Sequence, residues 1–294
     1  MSNDMIINHE TCSKCGICAT ICATKSIDHS KGEFPSRNPS RAETCIHCGQ
    51  CMAICPQGSI TISGLTYEDL FDLPQDTPDY QALFDLMSTR RSIRHFENKP
   101  VPRELIEKII TATAQAPMGF PPHKTHVTVV QDRSTILKML PIITKIYKDL
   151  AGWMKNPLIR FIIKRQTTPE AFSTIKNHLM PLISKRLTEM ENTDCDEITW
   201  EAPALMLFHA ERLAENHTVD AIIALTYASL AAHSLGLGAL INGLLPPAIT
   251  QSSELKNILN LPKDHEVVGA LLLGYPRYHY QHAIKRPLAS VNWI

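Results

Sequence analysis

Two cysteine runs near the N-terminus constrain the chain more than any other feature. The first reads Cys12-x2-Cys15-x2-Cys18-x3-Cys22 and the second Cys45-x2-Cys48-x2-Cys51-x3-Cys55-Pro56. They share one spacing, stand 33 residues apart and use eight of the nine cysteines. A single C-x2-C pair suits zinc or a dithiol redox couple, whereas two complete four-cysteine runs match the thiolate demand of iron–sulfur cubanes. Short gaps let three sulfurs of one loop wrap a cluster, and the fourth, a turn further on, points away towards a second. That geometry assigns Cys12, Cys15, Cys18 and Cys55 to one cubane and Cys45, Cys48, Cys51 and Cys22 to the other.

The same shift of 33 residues lays Gly16 on Gly49, Ile21 on Ile54, Ser26 on Ser59 and Ile27 on Ile60, the mark of an internal duplication. Ile21, Ile27, Ile54, Ile60 and Ile62 are expected to form a small dry shell around the cubanes. So short a segment cannot bury a large core, so ligated metal must supply much of its stability. Residues 4–63 resemble the two-[4Fe-4S] bacterial ferredoxin family, which implies a small duplicated βαβ iron–sulfur domain. One departure is Ala23 after the fourth cysteine of the first run, where the family usually has proline. It loosens the turn and leaves the ligand in place.

A chain of 294 residues lies near the size, about 250–300, at which one core stops growing. Two domains are expected: an iron–sulfur domain over 1–64, a linker over 65–79 carrying Pro74 and Pro78, and a second domain over 80–294. With 29 basic and 29 acidic side chains the chain lacks the cationic excess of a nucleic-acid binder. No cationic, apolar leader and no 18-residue uncharged run is present, which argues against secretion and membrane spanning. Cluster thiolates need a reducing compartment, so a cytoplasmic location is expected.

Along the second domain, Leu83, Leu86 and Met87 have amphipathic spacing within a helix over 80–89. Pro102 opens a helical stretch to Gln115, and strands are expected at 126–131, 204–209 and 266–274. Residues 134–191 read as mostly helical, 219–235 as a long apolar helix plausible against another subunit, and 253–259 as a short helix. The pattern gives an α+β chain whose second domain has a three-layer α/β/α build.

Arg90-Arg91-Ser92-Ile93-Arg94-His95-Phe96, Ala116-Pro117 before a strand, Gly236-Leu237-Gly238 after a long helix, and Ala270 to Pro276 occur in that order. Residues 80–294 thereby resemble the FMN-dependent nitroreductase family, and the whole chain resembles ferredoxin–nitroreductase fusions. Guanidinium forks bind phosphate oxygens two at a time, which suits an Arg-Arg-Ser-x-Arg run to a flavin phosphate. The resemblance puts Arg90 and Ser92 on the phosphate and ribityl chain, Arg94 near the pyrimidine edge and Arg286 as a second phosphate contact; Arg91, from the same run, and Lys285, next to Arg286, are further cofactor-binding candidates with no assigned atom. Pro117 falls at the cofactor too. Ile241, Asn242 and Gly243 match the stretch whose backbone approaches the flavin ring near N5. A solvated arginine run and a buried strand end are the structural alternatives.

The family's polar Asn-x-Gln-Pro-Trp stretch is replaced by Phe120-Pro121-Pro122-His123-Lys124, with Pro121 opposite the asparagine, which puts the substrate class in doubt. His123 is a candidate replacement contact. Residues 141–199 exceed a minimal core and mix Trp153, Phe161 and Ile162 with Lys155, Arg160 and Lys164; a lid, a dimer arm and a membrane-surface patch all fit. Cys195 reads as a plain thiol, and His178, His209, His217 and His233 lack ligand spacing. The expected activity is an FMN-dependent oxidoreductase of nitroreductase or ene-reductase type. It would take electrons from a low-potential donor, a ferredoxin or another redox protein, through two [4Fe-4S] clusters to FMN and on to a small organic acceptor. The resemblance implies a homodimer and names no catalytic side chain. A non-catalytic relay to a protein partner is the alternative.

Overall fold

The computed structural model describes residues 5–119, 124–193 and 195–294. His123 and Pro121 lie outside them. The chain divides into two compact units, one ending at Pro78 and the other beginning at Asp79.

The first unit runs β1 (Met5–Ile7), α1 (Ile17–Ile21), β2 (Ile27–Asp28), β3 (Ser36–Arg37), α2 (Gln50–Ala53) and β4 (Ile60–Ile62). β1 pairs antiparallel with β4 and β2 with β3. Each helix is a single turn entered through a left-handed glycine, Gly16 and Gly49, both at φ 72°. That identity of backbone carries the duplication from sequence into structure, because only glycine adopts this conformation without steric cost. Ile27, Ile60 and Ile62 are buried as expected. Ile21 and Ile54 are 37% and 45% exposed, since each stands at the end of a helix too short to enclose both its faces, yet Ile21 still lines the cavity of Cys22, Cys45, Cys48 and Cys51 as expected. The expected linker begins inside this unit: Tyr67 donates its hydroxyl to Ile60 O at 3.0 Å, and Thr66 and Asp69 close a capping box.

The second unit begins with α3 (Tyr80–Thr89), capped by Asp79, and α4 (Arg103–Thr113). There follow β5 (His126–Val130), α5 (Arg133–Lys155), α6 (Pro157–Gln166), α7 (Pro169–Thr174) and, after a π turn, α8 (Met180–Thr193). The remainder is β6 (Ala204–Glu211), α9 (His217–Ser234), β7 (Gly238–Ile241), α10 (Leu245–Gln251), α11 (Ser253–Ile258) and β8 (His265–Gly274). The strands form one antiparallel sheet in the order β5-β6-β8-β7.

Strand alternation sorts this sheet into two cores. Leu205, Leu207, Leu240, Ala270 and Leu272 face the layer of α5, α8, α10 and α11. Ala204, Met206, Phe208, Ala239, Leu271 and Leu273 face α4 and α9. Burial on both faces explains why β6 and β8 read as unbroken apolar runs. The result is the expected three-layer α/β/α domain. α9 buries one side through Ala221, Ala224, Leu225, Ala228 and Ala232, while Val219, Ile222 and Tyr227 on its other side are exposed.

Candidate functional site

In the first unit the eight cysteines of the two runs divide between two cavities. Cys12, Cys15, Cys18 and Cys55 line one, together with Ile7, Ile60 and Pro35. Cys22, Cys45, Cys48 and Cys51 line the other, with Ile27 and Ile62 on its wall. Among the described residues no three His, Cys, Asp or Glu side chains close on the position of a single ion; the sulfurs stand around cavity walls instead.

The thiols also fit a cluster chemically. Burial, with the neighbouring Cys48 and Cys45, pushes the Cys51 thiol up to about 11, and burial likewise raises Cys18. Four thiolates in such a space need a cationic core among them, which iron supplies. At Cys22 burial acts in the same upward direction, but bonds from Ser26 and Thr24 outweigh it and hold the thiol below its ordinary value.

In the second unit the Arg90–Phe96 segment runs along the exposed edge of β7. Ser92 bridges Ala239 in parallel, and Ile93 N–H donates to Ala239 O at 3.0 Å. A Cβ on Gly238 would come within 2.8 Å of the Ile93 side chain, so glycine is what lets this segment lie against β7. Because the two run in the same direction, Arg90 stands towards the Gly236–Gly238 end and Arg94 towards Ile241. The residues between Gly238 and Ile241 span roughly 10 Å of strand.

At the glycine end is a cleft of about 240 Å³ lined by Arg90, Arg91, His233, Gly238, Tyr278 and Tyr280. Burial draws the Arg90 pKa below its ordinary value, and the cations Arg286 and Arg91 lower it further. Arg91 donates one Nη1 bond to Arg90 O at 2.8 Å, while its Nε and Nη2 are buried without a partner. Crowded guanidinium groups with buried, unspent N–H donors are the complement of a multiply charged anion such as a flavin phosphate. His233 was not singled out by sequence. It bonds Thr89 Oγ1 at 2.9 Å, and burial beside Arg90 and Arg91 keeps its pKa low. The only hint was its place in the last turn before Gly236-Leu237-Gly238.

At the other end Arg94 stacks 6.0 Å from the Trp200 ring, which Arg186 also approaches at 5.1 Å. Three bonds engage the Asn242 side chain: Nδ2 donates to Ile198 O at 2.7 Å, and Oδ1 accepts from Leu244 N at 2.8 Å and Leu245 N at 3.1 Å. Its own N–H donates to Ala270 O at 2.8 Å. Asn242 thus fixes the turn carrying Gly243 and starts α10. Ile241 is 49% exposed beside it. Pro117, Lys285 and Arg286 are exposed; of these, only Arg286 is brought towards the arginine cleft, as a neighbour of Arg90.

Residues 11–60 match a 4Fe-4S dicluster domain. Two such modules, a thiol-rich iron–sulfur domain and a three-layer domain with an arginine-lined cleft, define an FMN- and iron–sulfur-dependent oxidoreductase. Residues 87–275 match the Nitroreductase family, and the chain belongs to that family. It is 27% identical over 192 residues to a putative NADH dehydrogenase/NAD(P)H nitroreductase of Archaeoglobus fulgidus, covering 65% of this chain and 84% of that one. It is 26% identical over 209 residues to an FMN reductase [NAD(P)H] of Bacillus subtilis, covering 70% of each. The fold matches an FMN-bound nitroreductase from Bacteroides fragilis with a TM-score of 0.52 at 21% identity, over 72% of this chain and 97% of that one. Among the described residues no helix is long and apolar enough to cross a membrane.

Proposed function

We propose that this oxidoreductase takes single electrons from a low-potential donor through two [4Fe-4S] clusters and, by way of FMN, reduces a small organic acceptor. A nitro group, an activated alkene and a quinone are the acceptor classes that fit. The bound clusters would supply one-electron transfer, and the bound flavin both one- and two-electron chemistry. That difference is the chemical reason for joining the two modules in one chain.

The protein's own groups have distinct tasks. Each quartet of cysteines holds a cubane, with buried isoleucines, Ile60 beside one and Ile27 and Ile62 beside the other, on part of its wall. Arg90, Arg91 and Arg286 bind the flavin phosphate, with Lys285 as an outlying cation, and Ser92 adds a hydroxyl donor beside β7. Arg94, two residues further along the same strand edge, places positive charge near the pyrimidine, where it favours the reduced flavin. Ile241 and Gly243 bring backbone to the ring, and Asn242 acts by locking that turn. Pro117 and His123 complete the proposed contacts. A homodimer is supported by the exposed Val219, Ile222 and Tyr227 on α9, at 56%, 43% and 39%.

The observation that carries the proposal is the buried, unpartnered guanidinium edge of Arg91 at the cleft, in a chain that also presents two thiol quartets. The test is anaerobic turnover of iron-loaded, FMN-loaded protein with a chemically reduced ferredoxin as donor. Donor-dependent reduction of nitroaromatic or enone acceptors that disappears in a Cys22→Ala, Cys55→Ala variant supports it. Equal turnover of that variant with the same donor overturns cluster-fed reduction.

A further inference from the structure

The duplicated cysteine runs are not chemically equal at their last sulfur. In both, the backbone N–H four residues on donates to that sulfur: Ser26 N to Cys22 Sγ and Ser59 N to Cys55 Sγ, each at 3.3 Å. Side chains then break the symmetry. Ser26 Oγ lies 3.3 Å and Thr24 Oγ1 3.6 Å from Cys22 Sγ. Thr24 also donates to Ser26 Oγ at 3.4 Å, so the two hydroxyls form a short relay ending on sulfur.

Among the described residues the matching positions of the second run form no such relay. Gln57 stands where the first run has Thr24, and its carbonyl accepts from Ser13 Oγ at 3.4 Å. Ser59 Oγ is engaged by Thr11 Oγ1 at 2.9 Å. The first cavity has donors of its own at Cys15, the Ile17 backbone and then the Ser13 hydroxyl, but that hydroxyl is the one shared with Gln57, and among the described residues no second hydroxyl backs it.

A metal-bound thiolate carries no proton, so Ser26 Oγ is the donor at Cys22 Sγ, and Thr24, 3.6 Å from the same sulfur, supports that bond by donating to Ser26 Oγ. Donors aimed at cluster sulfur stabilise the more negative, reduced state and raise the reduction potential. We propose that Thr24 and Ser26 raise the potential of the cluster held by Cys22, Cys45, Cys48 and Cys51 above that of the cluster held by Cys12, Cys15, Cys18 and Cys55. One electron from the external low-potential donor then comes to rest on the Cys22 cluster. The donor is oxidised by one electron, that cluster is reduced by one, and no bond is made or broken. The inference rests on the two-cluster reading above.

The test is an EPR-monitored redox titration of the full-length, iron-loaded protein beside Thr24→Val, Ser26→Ala and Thr24→Ser. Two midpoints are expected in the unsubstituted protein. Thr24→Val and Ser26→Ala each lower the higher one and leave the other in place, and Thr24→Ser, which keeps the hydroxyl, restores it. Two cubanes whose midpoints do not move, or move together, overturn this inference alone. Iron and sulfide for a single cubane in the unsubstituted protein overturn the two-cluster reading and this inference with it. Thr24 is partly exposed, so its variants keep the test open if Ser26→Ala loads poorly.

Discussion

The hydroxyl of Tyr147 donates to the backbone carbonyl of Leu244 at 2.5 Å, tying the middle of α5 to the turn that follows β7. Burial pushes the phenol up to about 12, so it stays a donor at any ordinary pH. Together with the three side-chain bonds of Asn242, it fixes the turn proposed to meet the flavin ring.

Tyr147→Phe is therefore expected to leave Leu244 O unpaired and cost about 1–2 kcal/mol of stability. The same loss should loosen the turn and speed flavin release. Thermal unfolding and FMN dissociation, followed by flavin fluorescence, are the measurements. A variant as stable as the parent with unchanged flavin release would show that the turn is held by Asn242 alone.

Asp196 makes a second anchor. Its carboxylate accepts from Arg133 Nη2 at 2.8 Å, from Ile198 N at 3.0 Å, from Thr199 N at 2.7 Å and from the Thr199 hydroxyl. The turn it gathers carries Trp200 and Glu201 at φ 55° and 56°, a left-handed pair that each costs of order 1–3 kcal/mol to hold. Asp196→Ala should lose about 2–4 kcal/mol, because it strands the Arg133 charge as well as the turn. Removing both partners, in Asp196→Ala with Arg133→Met, should cost less than the sum of the two single changes. Chemical denaturation of the four proteins in the cycle measures this.

Much of this architecture is legible before any coordinates are seen, for reasons that differ by element. The strands β6 and β8 announce themselves as unbroken apolar runs because both faces are buried, the helix over 80–89 by its amphipathic spacing, and the helix expected over 219–235, observed at His217–Ser234, by its length and apolar content. The cysteine quartets are legible because cluster geometry permits few spacings. What the sequence hides are partners distant along the chain. Asn242, expected at the flavin, turns out to spend its amide on Ile198 O, 44 residues away, and on the start of α10. His233 joins the arginine cleft only because α9 ends where Arg90 passes β7. Ile21 and Ile54 match in the repeat but are exposed, since periodicity records the duplication and not the length of a one-turn helix.

Three histidines from different strands, His126, His209 and His265, stack at one end of the sheet, with ring centroids 4.9–5.6 Å apart. Burial, then the neighbouring His265 and His126, push His209 down to about 4. In the unfolded chain it titrates near its ordinary value, about 6.5. Between these values the unfolded state binds a proton that the folded state refuses, so stability falls as pH drops from about 6.5 towards 4. Above about 7 this group makes no contribution to pH dependence. The exposure of His126 beside it lets solvent screen the cluster and limits the effect to roughly 1–2 kcal/mol. Urea midpoints across that range should fall less steeply in His209→Gln, and equal slopes would assign the acid sensitivity elsewhere.

Arg91 sets stability against binding. Its Nε and Nη2 are buried with no protein group to donate to, and a buried donor left unpaired costs about 1–3 kcal/mol. Arg91→Met removes those donors while filling similar space, so the flavin-free protein should become more stable. The same change removes charge-assisted bonds to the phosphate, each about 1.5–3 kcal/mol, and should weaken FMN binding by about 10- to 100-fold. Arg91→Lys keeps the charge without the planar fork and should fall between. Melting temperature without flavin and FMN affinity by titration must therefore move in opposite directions across the parent, Lys and Met proteins. If both fall together in Arg91→Met, the guanidinium is a structural group and the phosphate lies elsewhere.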